Sequence, residues 1–319
     1  MTGAFRLGRR AIGGGAPCFV IAEAGVNHNG DPALAARLVD VAADAGADAV
    51  KFQTFRSEAL VSRRAAKAAY QVETTGADES QLDMLRRLEL PVAAHRTLLE
   101  RCARRSIMFL SSSFDEGSAD ALEALGVAGF KIPSVEAAMA VFRRHAVPVA
   151  LLHCVSAYPA PANQMNLRAI DTLRERFACP VGLSDHTVGT EIALAAVARG
   201  AEVLEKHFTV DTSLPGPDHR ASLDPAALAA MLAGVRAVEA ALGDGIKKPT
   251  AAELDTRDVA RKSLVTARPV ARGSTLGSAD VTAKRPGTGI PPTSLAEVVG
   301  RRARRDLDAD EVLQWTDLA

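Results

Sequence analysis

Before residue 210 the chain repeats one pattern seven times: a short apolar run that ends in polar residues, followed by a helical stretch. The runs are Phe19–Ala24, Ala49–Thr54, Ile107–Ser112, Gly129–Pro133, Val147–Cys154, Pro180–Asp185 and Val203–Phe208. Helical patterns between them include Pro32–Ala45, Ala93–Arg104, Gly117–Leu125 and Leu167–Phe177. Strands joined through helices run parallel, because a parallel pair needs a long crossover where an antiparallel pair needs only a tight turn. The repetition therefore specifies a parallel α/β sheet, and this many βα units favour a TIM-type (β/α) barrel over an open sheet. A further helix, Pro225–Leu242, closes the barrel region, assigned to residues 1–245, and residues 246–260 read as a linker.

From residue 261 to 319 the texture changes to short strands and turns. Lys262–Ala267, Val270–Thr275, Val281–Lys284 and Glu311–Trp315 read as strands, with a short helix at Ser294–Val299. This tail is too small for a second enzyme core and is expected to be a compact β-rich module.

Thirty-eight basic residues balance thirty-eight acidic ones, so nothing in the charge argues for nucleic acid or an anionic membrane as partner. The basic run Arg301–Arg305 is followed closely by Asp306, Asp308 and Asp310 and reads as solvated surface. Cys18, Cys102, Cys154 and Cys179 are scattered without metal or disulfide spacing, which suits a reducing, cytoplasmic setting. No segment reads as a membrane span or as a signal-peptide core.

Barrel enzymes carry their chemistry at the C-terminal ends of the strands. Those positions hold Glu23 with Asn27 and His28, Lys51 with Gln53, Ser111–Ser113, Lys131 with Ser134, Ser156 with Tyr158, Ser184 with His186, and Glu205 with His207. Polar groups at all seven ends are hard to explain as packing. Side chains alternate along a strand, so Ser184 and His186 share a face, as do Glu205 and His207. The two histidines sit at matching ends of consecutive strands, where they could converge on one ion; the alternative is two unrelated polar strand ends. The other histidines read differently: His95 and His145 as surface residues, His153 as a hydrogen-bonded structural residue, and His28 and His219 as loop residues over the bowl.

In order, Ile21–Gly30 (IAEAGVNHNG), Val50–Thr54 (VKFQT), Phe130–Ser134 (FKIPS), Leu152–Cys154 (LHC), Gly182–Thr187 (GLSDHT), Glu205–Thr209 (EKHFT) and Pro215–His219 (PGPDH) resemble the bacterial sialic acid (nonulosonate) synthase family. Val281–Gly289 (VTAKRPGTG) resembles the antifreeze-like (SAF, β-clip) domain that such enzymes carry. The resemblance implies condensation of phosphoenolpyruvate with an N-acylated mannose-type sugar and water, giving a nonulosonic acid and phosphate. It implies that His186 and His207 hold a divalent metal, Mn²⁺ or alternatively Mg²⁺ or Co²⁺. Lys51 and Lys131 would neutralise the phosphoenolpyruvate, with Ser112, Ser134, Ser156 and Ser184 donating hydrogen bonds. Glu23, Gln53, Tyr158 and Asp218 would position the sugar, and Glu23 or Glu205 would handle protons. Arg285 of one subunit would reach the N-acyl group in its partner's barrel, making a domain-swapped homodimer part of the site. The acceptor stays open among N-acetylmannosamine, a 2,4-diacetamido-6-deoxy sugar and a phosphorylated hexosamine.

The chain departs from that family in one large way and two small ones. The small ones are Thr74, where the family tends to have asparagine, and Ser156, where some members have it. Only seventeen residues separate Ser134 from Leu152, where the family carries a further helix and barrel strand. The loss of a whole αβ step keeps the winding sense but leaves seven strands for an eight-strand closure. The two flanking strands are expected to face each other across an unfilled gap. This motivates a second reading, a catalytically impaired paralogue that binds sugar or scaffolds an assembly. A third, a metal-dependent hydrolase, is compatible with the paired histidines, but the lysine pair and the appended domain argue against it.

Overall fold

The computed structural model describes residues 3–132 and 136–319. The chain divides into two compact units, Met1–Gly243 and Asp244–Ala319.

In the first unit, seven parallel strands form a curved half-barrel: β3 (Phe19–Gly25), β4 (Ala49–Thr54), β5 (Met108–Ser113), β6 (Phe130–Lys131), β7 (Leu151–Cys154), β8 (Val181–Asp185) and β9 (Val203–His207). Their order across the sheet is β6-β5-β4-β3-β9-β8-β7, with β3 at the centre. This is the order of a TIM barrel cut open at one place. The cut falls where the sequence lacks an αβ step: β6 and β7 are the two edges of the sheet, and no pairing joins them among the described residues. The strand expected over Gly129–Pro133 is only two residues long, and Pro133 and Ser134 lie outside the described residues. The apolar side chains of Phe130, Ile132, Val141 and Val147, at and near the break, are exposed.

The strand register separates two apolar layers. Val20, Ala22, Val50, Phe52, Phe109, Leu183 and Leu204 point outward and pack under the helices. Phe19, Ile21, Ala49, Leu110 and Val203 point inward and fill the lower barrel. They are joined by Ile12 and by Phe5 and Leu7 of a hairpin that the sequence reading did not foresee, β1 (Phe5–Leu7) paired antiparallel with β2 (Arg10–Ile12). Apolar residues thus occupy the N-terminal half of each inward row, and the polar residues of the same parity are left at the C-terminal half.

The helices start where capping chemistry allows. Asp31 accepts from the Ala33 amide at 2.8 Å and precedes Pro32, and Asp224 accepts from the Ala227 amide at 2.7 Å and precedes Pro225. Each such cap stabilises its helix by about 1 kcal/mol, and a proline at the first position loses no helical hydrogen bond. Helix Pro225–Leu242 is long and apolar enough to cross a membrane by length and composition, contrary to the sequence expectation. Here it packs Leu228, Met231, Leu232 and Val235 into the barrel's outer core.

In the second unit, β10 (Ser263–Thr266) pairs antiparallel with β11 (Val281–Lys284). Leu264, Val270, Leu276, Ile290, Leu307 and Leu313 belong to its core. The strands expected at Val270–Thr275 and Glu311–Trp315 are only isolated bridges, Val270 to Leu307, Thr275 to Arg302 and Val265 to Val312. Residues expected as linker hold a helix, Ala251–Ala260, opened by a capping box of Thr250 and Glu253.

Candidate active site

Above the inner apolar layer, the strand ends place Glu23, Lys51, Ser112, Lys131, Ser184, Glu205 and the rings of His186 and His207 on one face. The register makes this necessary: Glu23 is opposite both Lys51 and His207, and Ser184 is opposite Glu205. All but Lys131 are buried, and Lys131, on the edge strand, is partly exposed.

The centre is a charge cluster. The Lys51 ammonium lies 2.7 Å from Glu23 Oε2 and 3.5 Å from Glu205 Oε2, and donates to Ser112 Oγ at 3.0 Å. Lys131 Nζ and Ser184 Oγ both donate to Glu205 Oε1, at 3.1 and 2.7 Å. Burial alone would raise the Glu205 pKa, but Lys51, Lys131 and the Ser184 hydroxyl outweigh it and hold this carboxylate well below the usual range. Glu23 has fewer partners, and burial, only partly offset by Lys51, pushes it up to about 7. Burial likewise opposes the Lys131 ammonium, yet Glu205 and Glu23 raise its pKa overall. Two cations converge on one carboxylate, a ready receptor for a small dianion.

Beside this cluster the two imidazole rings are 5.4 Å apart, centroid to centroid, and inclined by 63°. His186 Nδ1 is 2.8 Å from the Val155 carbonyl and donates to it, so Nε2 carries the lone pair, 3.5 Å from a Ser184 hydroxyl that donates to Glu205 instead. His207 Nδ1 is buried without a hydrogen-bond partner. Burial lowers the pKa of both rings, and in His207 the neighbouring His186 adds to it, so both are neutral. Neutral rings with an unpartnered nitrogen are the form in which histidine binds a metal. Among the described residues no set of three His, Cys, Asp or Glu side chains is arranged to hold an ion. His186 and His207 are the residues that could hold a cation here, and two ring nitrogens are fewer than the four protein ligands of a closed zinc site.

Gly25 makes room for this arrangement. Its φ is +52°, and a Cβ there would lie 3.3 Å from His207 Cε1 and 3.5 Å from Gln53 Nε2 and Glu23 Oε1. Any side chain would be strained by the left-handed backbone and tight against the His207 ring, with Gln53 and Glu23 in ordinary contact.

The outer part of the bowl is aromatic. Tyr158 stacks on His186 at 4.1 Å between centroids and meets the His207 ring edge-on at 5.6 Å. Tyr70, from helix Ala69–Thr75, lies 5.2 Å from Tyr158. The chain has only two tyrosines, and both are here. Asp218 is buried near them, and that burial pushes its carboxyl up to about 6. Sequence reasoning missed Tyr70 because a lone aromatic in a short helix carries no strand-end signal. It also missed Cys154, whose Sγ is 3.7 Å from His186 Nδ1.

Not every expected residue joins the cluster. Ser156 is exposed, Ser134 lies outside the described residues, and Arg285 is an exposed residue of the second unit just after β11. His95 is buried, contrary to expectation: Thr54 Oγ1 lies 2.9 Å from its Nε2 and the Pro91 carbonyl 3.2 Å from its Nδ1. His28 and His219 are buried in loop networks with Gly30, Thr209 and Asn29. His153 bonds the Met165 carbonyl, and His145 is exposed.

A polar bowl at the strand ends of a (β/α) barrel, followed by a small β unit, defines a class of barrel synthase. The chain belongs to the NeuB family, whose profile matches residues 38–142 and 135–247, and a SAF domain covers residues 261–319. The two NeuB stretches overlap on helix Glu136–Arg144, which joins β6 to β7, so this one helix aligns with two places in the family. The N,N'-diacetyllegionaminic acid synthase of Campylobacter jejuni subsp. jejuni is 41% identical over 92% of this chain and 98% of its own length. That of Legionella pneumophila subsp. pneumophila is 40% identical over 97% of this chain and 96% of its own length. Its alignment runs over 343 positions, more than the 319 residues of this chain, so the relative carries residues that are missing here. The crystal structure of N-acetylneuraminic acid synthetase from Leptospira borgpetersenii serovar Hardjo-bovis, in complex with citrate, superposes with a TM-score of 0.68. It is 34% identical, over 80% of this chain and 95% of that one. The protein is thus an enzyme of the nonulosonic acid synthase family.

Proposed function

We propose that this enzyme joins phosphoenolpyruvate to an N-acylated mannose-type sugar, with water, to give a nonulosonic acid and inorganic phosphate. The observation that carries this reading is the convergence of Lys51 and Lys131 on Glu205, within one bowl with the His186–His207 pair. A hydrolase needs a metal and a water, but it does not need two lysines, one buried and one at the sheet edge, placed for a dianion.

The roles follow from what each group touches. Lys51 and Lys131 receive the carboxylate and phosphate of phosphoenolpyruvate, with Ser112 and Ser184 as further donors. Tyr158, Asp218 and Gln53 surround the acceptor and orient its hydroxyls so that the aldehyde carbon faces C3 of the enol phosphate. A C–C bond forms between those carbons, the aldehyde oxygen takes up a proton, water adds at C2, and phosphate leaves. Glu23 is the better proton handler, because Glu205 is already bound by two lysines and a serine whereas Glu23 has Lys51 alone. His186 and His207 would hold the divalent cation, Mn²⁺ in our reading, which when bound supplies Lewis-acid polarisation of the sugar's carbonyl oxygen. Arg285 would act from the SAF domain of a partner subunit, and the four free cysteines suit a reducing cytoplasm.

The test is phosphate release from phosphoenolpyruvate with Mn²⁺ and a panel comprising N-acetylmannosamine, a 2,4-diacetamido-6-deoxy sugar and a phosphorylated N-acetylhexosamine. Release should require one of these sugars and disappear in His207→Ala. Sugar-independent release would refute the proposal. Sugar binding without release under any of these conditions would favour the impaired paralogue.

A further inference from the structure

The site residues occupy the inward positions of β8 and β9, and the outward positions between them hold a buried ion pair. Asp185 precedes His186, Lys206 precedes His207, and the two are opposite one another in the register. Both side chains are almost completely buried. Lys206 Nζ donates to Asp185 Oδ2 at 2.8 Å and to the Thr187 carbonyl at 2.5 Å. Asp185 Oδ1 in turn accepts from the Thr187 amide at 2.9 Å. The residues on both sides of His186 are therefore tied to the residue before His207. At the other end of the same strand pair, a Cβ on Gly182 would lie 1.9 Å from the Val203 carbonyl, so the strands there are pressed backbone to backbone.

The two rings are held unequally. His186 has its own anchors, from Nδ1 to the Val155 carbonyl and from its own carbonyl to the Ala160 amide, both at 2.8 Å. The Nδ1 of His207 bonds nothing, so its place rests heavily on the backbone of β9. A buried ion pair is a costly way to fill space, because apolar residues of similar volume often serve stability as well or better. An apolar pair would not fix the Thr187 carbonyl or the turn that carries His186.

We infer that Lys206 and Asp185 are positioning residues, a clamp behind the site that sets the separation of the His186 and His207 rings and so the affinity for a divalent cation. This rests on the metal reading proposed above. Partners of this kind behind a metal site are worth on the order of 10–100-fold in affinity.

The experiment is a Mn²⁺ titration followed by electron paramagnetic resonance, with no substrate present, beside thermal melting of each variant. Lys206→Met leaves the Asp185 carboxylate buried without its cation and should lower both the melting temperature and Mn²⁺ affinity. Lys206→Met with Asp185→Leu leaves neither charge behind. It should recover melting temperature while Mn²⁺ affinity stays on the order of 10–100-fold weaker. Asp185→Asn has one acceptor oxygen where Lys206 and the Thr187 amide use two, so it breaks one arm of the clamp and should fall between wild type and the double variant in Mn²⁺ affinity while melting earlier. If affinity simply tracks melting temperature across the three variants, or the double variant binds Mn²⁺ as wild type does, the clamp is only structural and the inference is overturned. If wild-type Mn²⁺ binding survives His186→Ala and His207→Ala, the metal reading itself falls, and this inference with it.

Discussion

Asp218→Asn should make the barrel more stable and the enzyme worse. The Asp218 carboxyl is buried, and burial raises its pKa from the ordinary 3.8 to about 6. A carboxyl whose folded pKa lies above its unfolded value binds more protons when folded, so stability falls as pH rises from below 3.8 through 6. The full penalty is about 3 kcal/mol, from roughly two pH units at 1.36 kcal/mol each. About half of it, roughly 1.4 kcal/mol, develops between pH 5 and pH 8 by the same linkage. Asparagine has nearly the same shape and does not titrate, so the variant should escape this loss. The stability of Asp218→Asn relative to wild type should therefore improve by about 1.4 kcal/mol from pH 5 to pH 8. Urea unfolding followed by circular dichroism is the suitable assay, because the single tryptophan, Trp315, lies in the second unit and would report on the wrong transition. In kinetics the same variant should lose kcat/KM for the sugar by about 10-fold or more, since a charged acceptor contributes about 1.5–3 kcal/mol to a hydrogen bond. A stability difference that does not change with pH would refute the reasoning, since the carboxylate would then have partners that neutralise its burial.

Three further outcomes are expected. Gly25→Ala should cost about 1–2 kcal/mol for its left-handed backbone and weaken Mn²⁺ binding by displacing His207; unchanged binding by electron paramagnetic resonance would contradict the crowding seen there. Arg285→Ala and Lys51→Ala should each be nearly inactive alone, yet recover activity when mixed under verified subunit exchange; no recovery at any ratio would count against a shared site. Grafting an αβ segment from a full-length relative between β6 and β7 should raise melting temperature and phosphoenolpyruvate-dependent turnover together, because two open strand edges and the exposed Phe130, Ile132, Val141 and Val147 would be covered; no gain in either would mean the break is already compensated.

Strand parity was readable from the sequence because it is a local property. Apolar runs alternating with polar ends placed Glu23, Lys51, Ser184, His186, Glu205 and His207 on one inner face, and the register does so too. The open edge was readable only through the family resemblance, which supplies the αβ step that the seventeen residues between Ser134 and Leu152 are too few to hold. What escaped depends on distant contacts. The Phe5–Leu7 and Arg10–Ile12 hairpin is too short to show a period and is held by the barrel floor it plugs. His95 sits on a helix whose polar pattern suggests solvent, but its ring reaches Thr54 on β4. Lys206 and Asp185 drew no reading from the sequence, because only the register sets them opposite each other. Helix Pro225–Leu242 escaped as a possible membrane span because its 18 residues read as short of a full crossing.

The central claim is that an enzyme with an open barrel still joins two substrates into one acid. Phosphoenolpyruvate labelled with ¹³C at all three carbons, incubated with Mn²⁺ and the sugar panel, tests it most directly by mass spectrometry. A nonulosonic acid carrying all three labelled carbons should accumulate in step with phosphate, and should be absent from the His207→Ala reaction. Labelled pyruvate appearing with the phosphate, and no labelled sugar acid with any acceptor, would contradict the account.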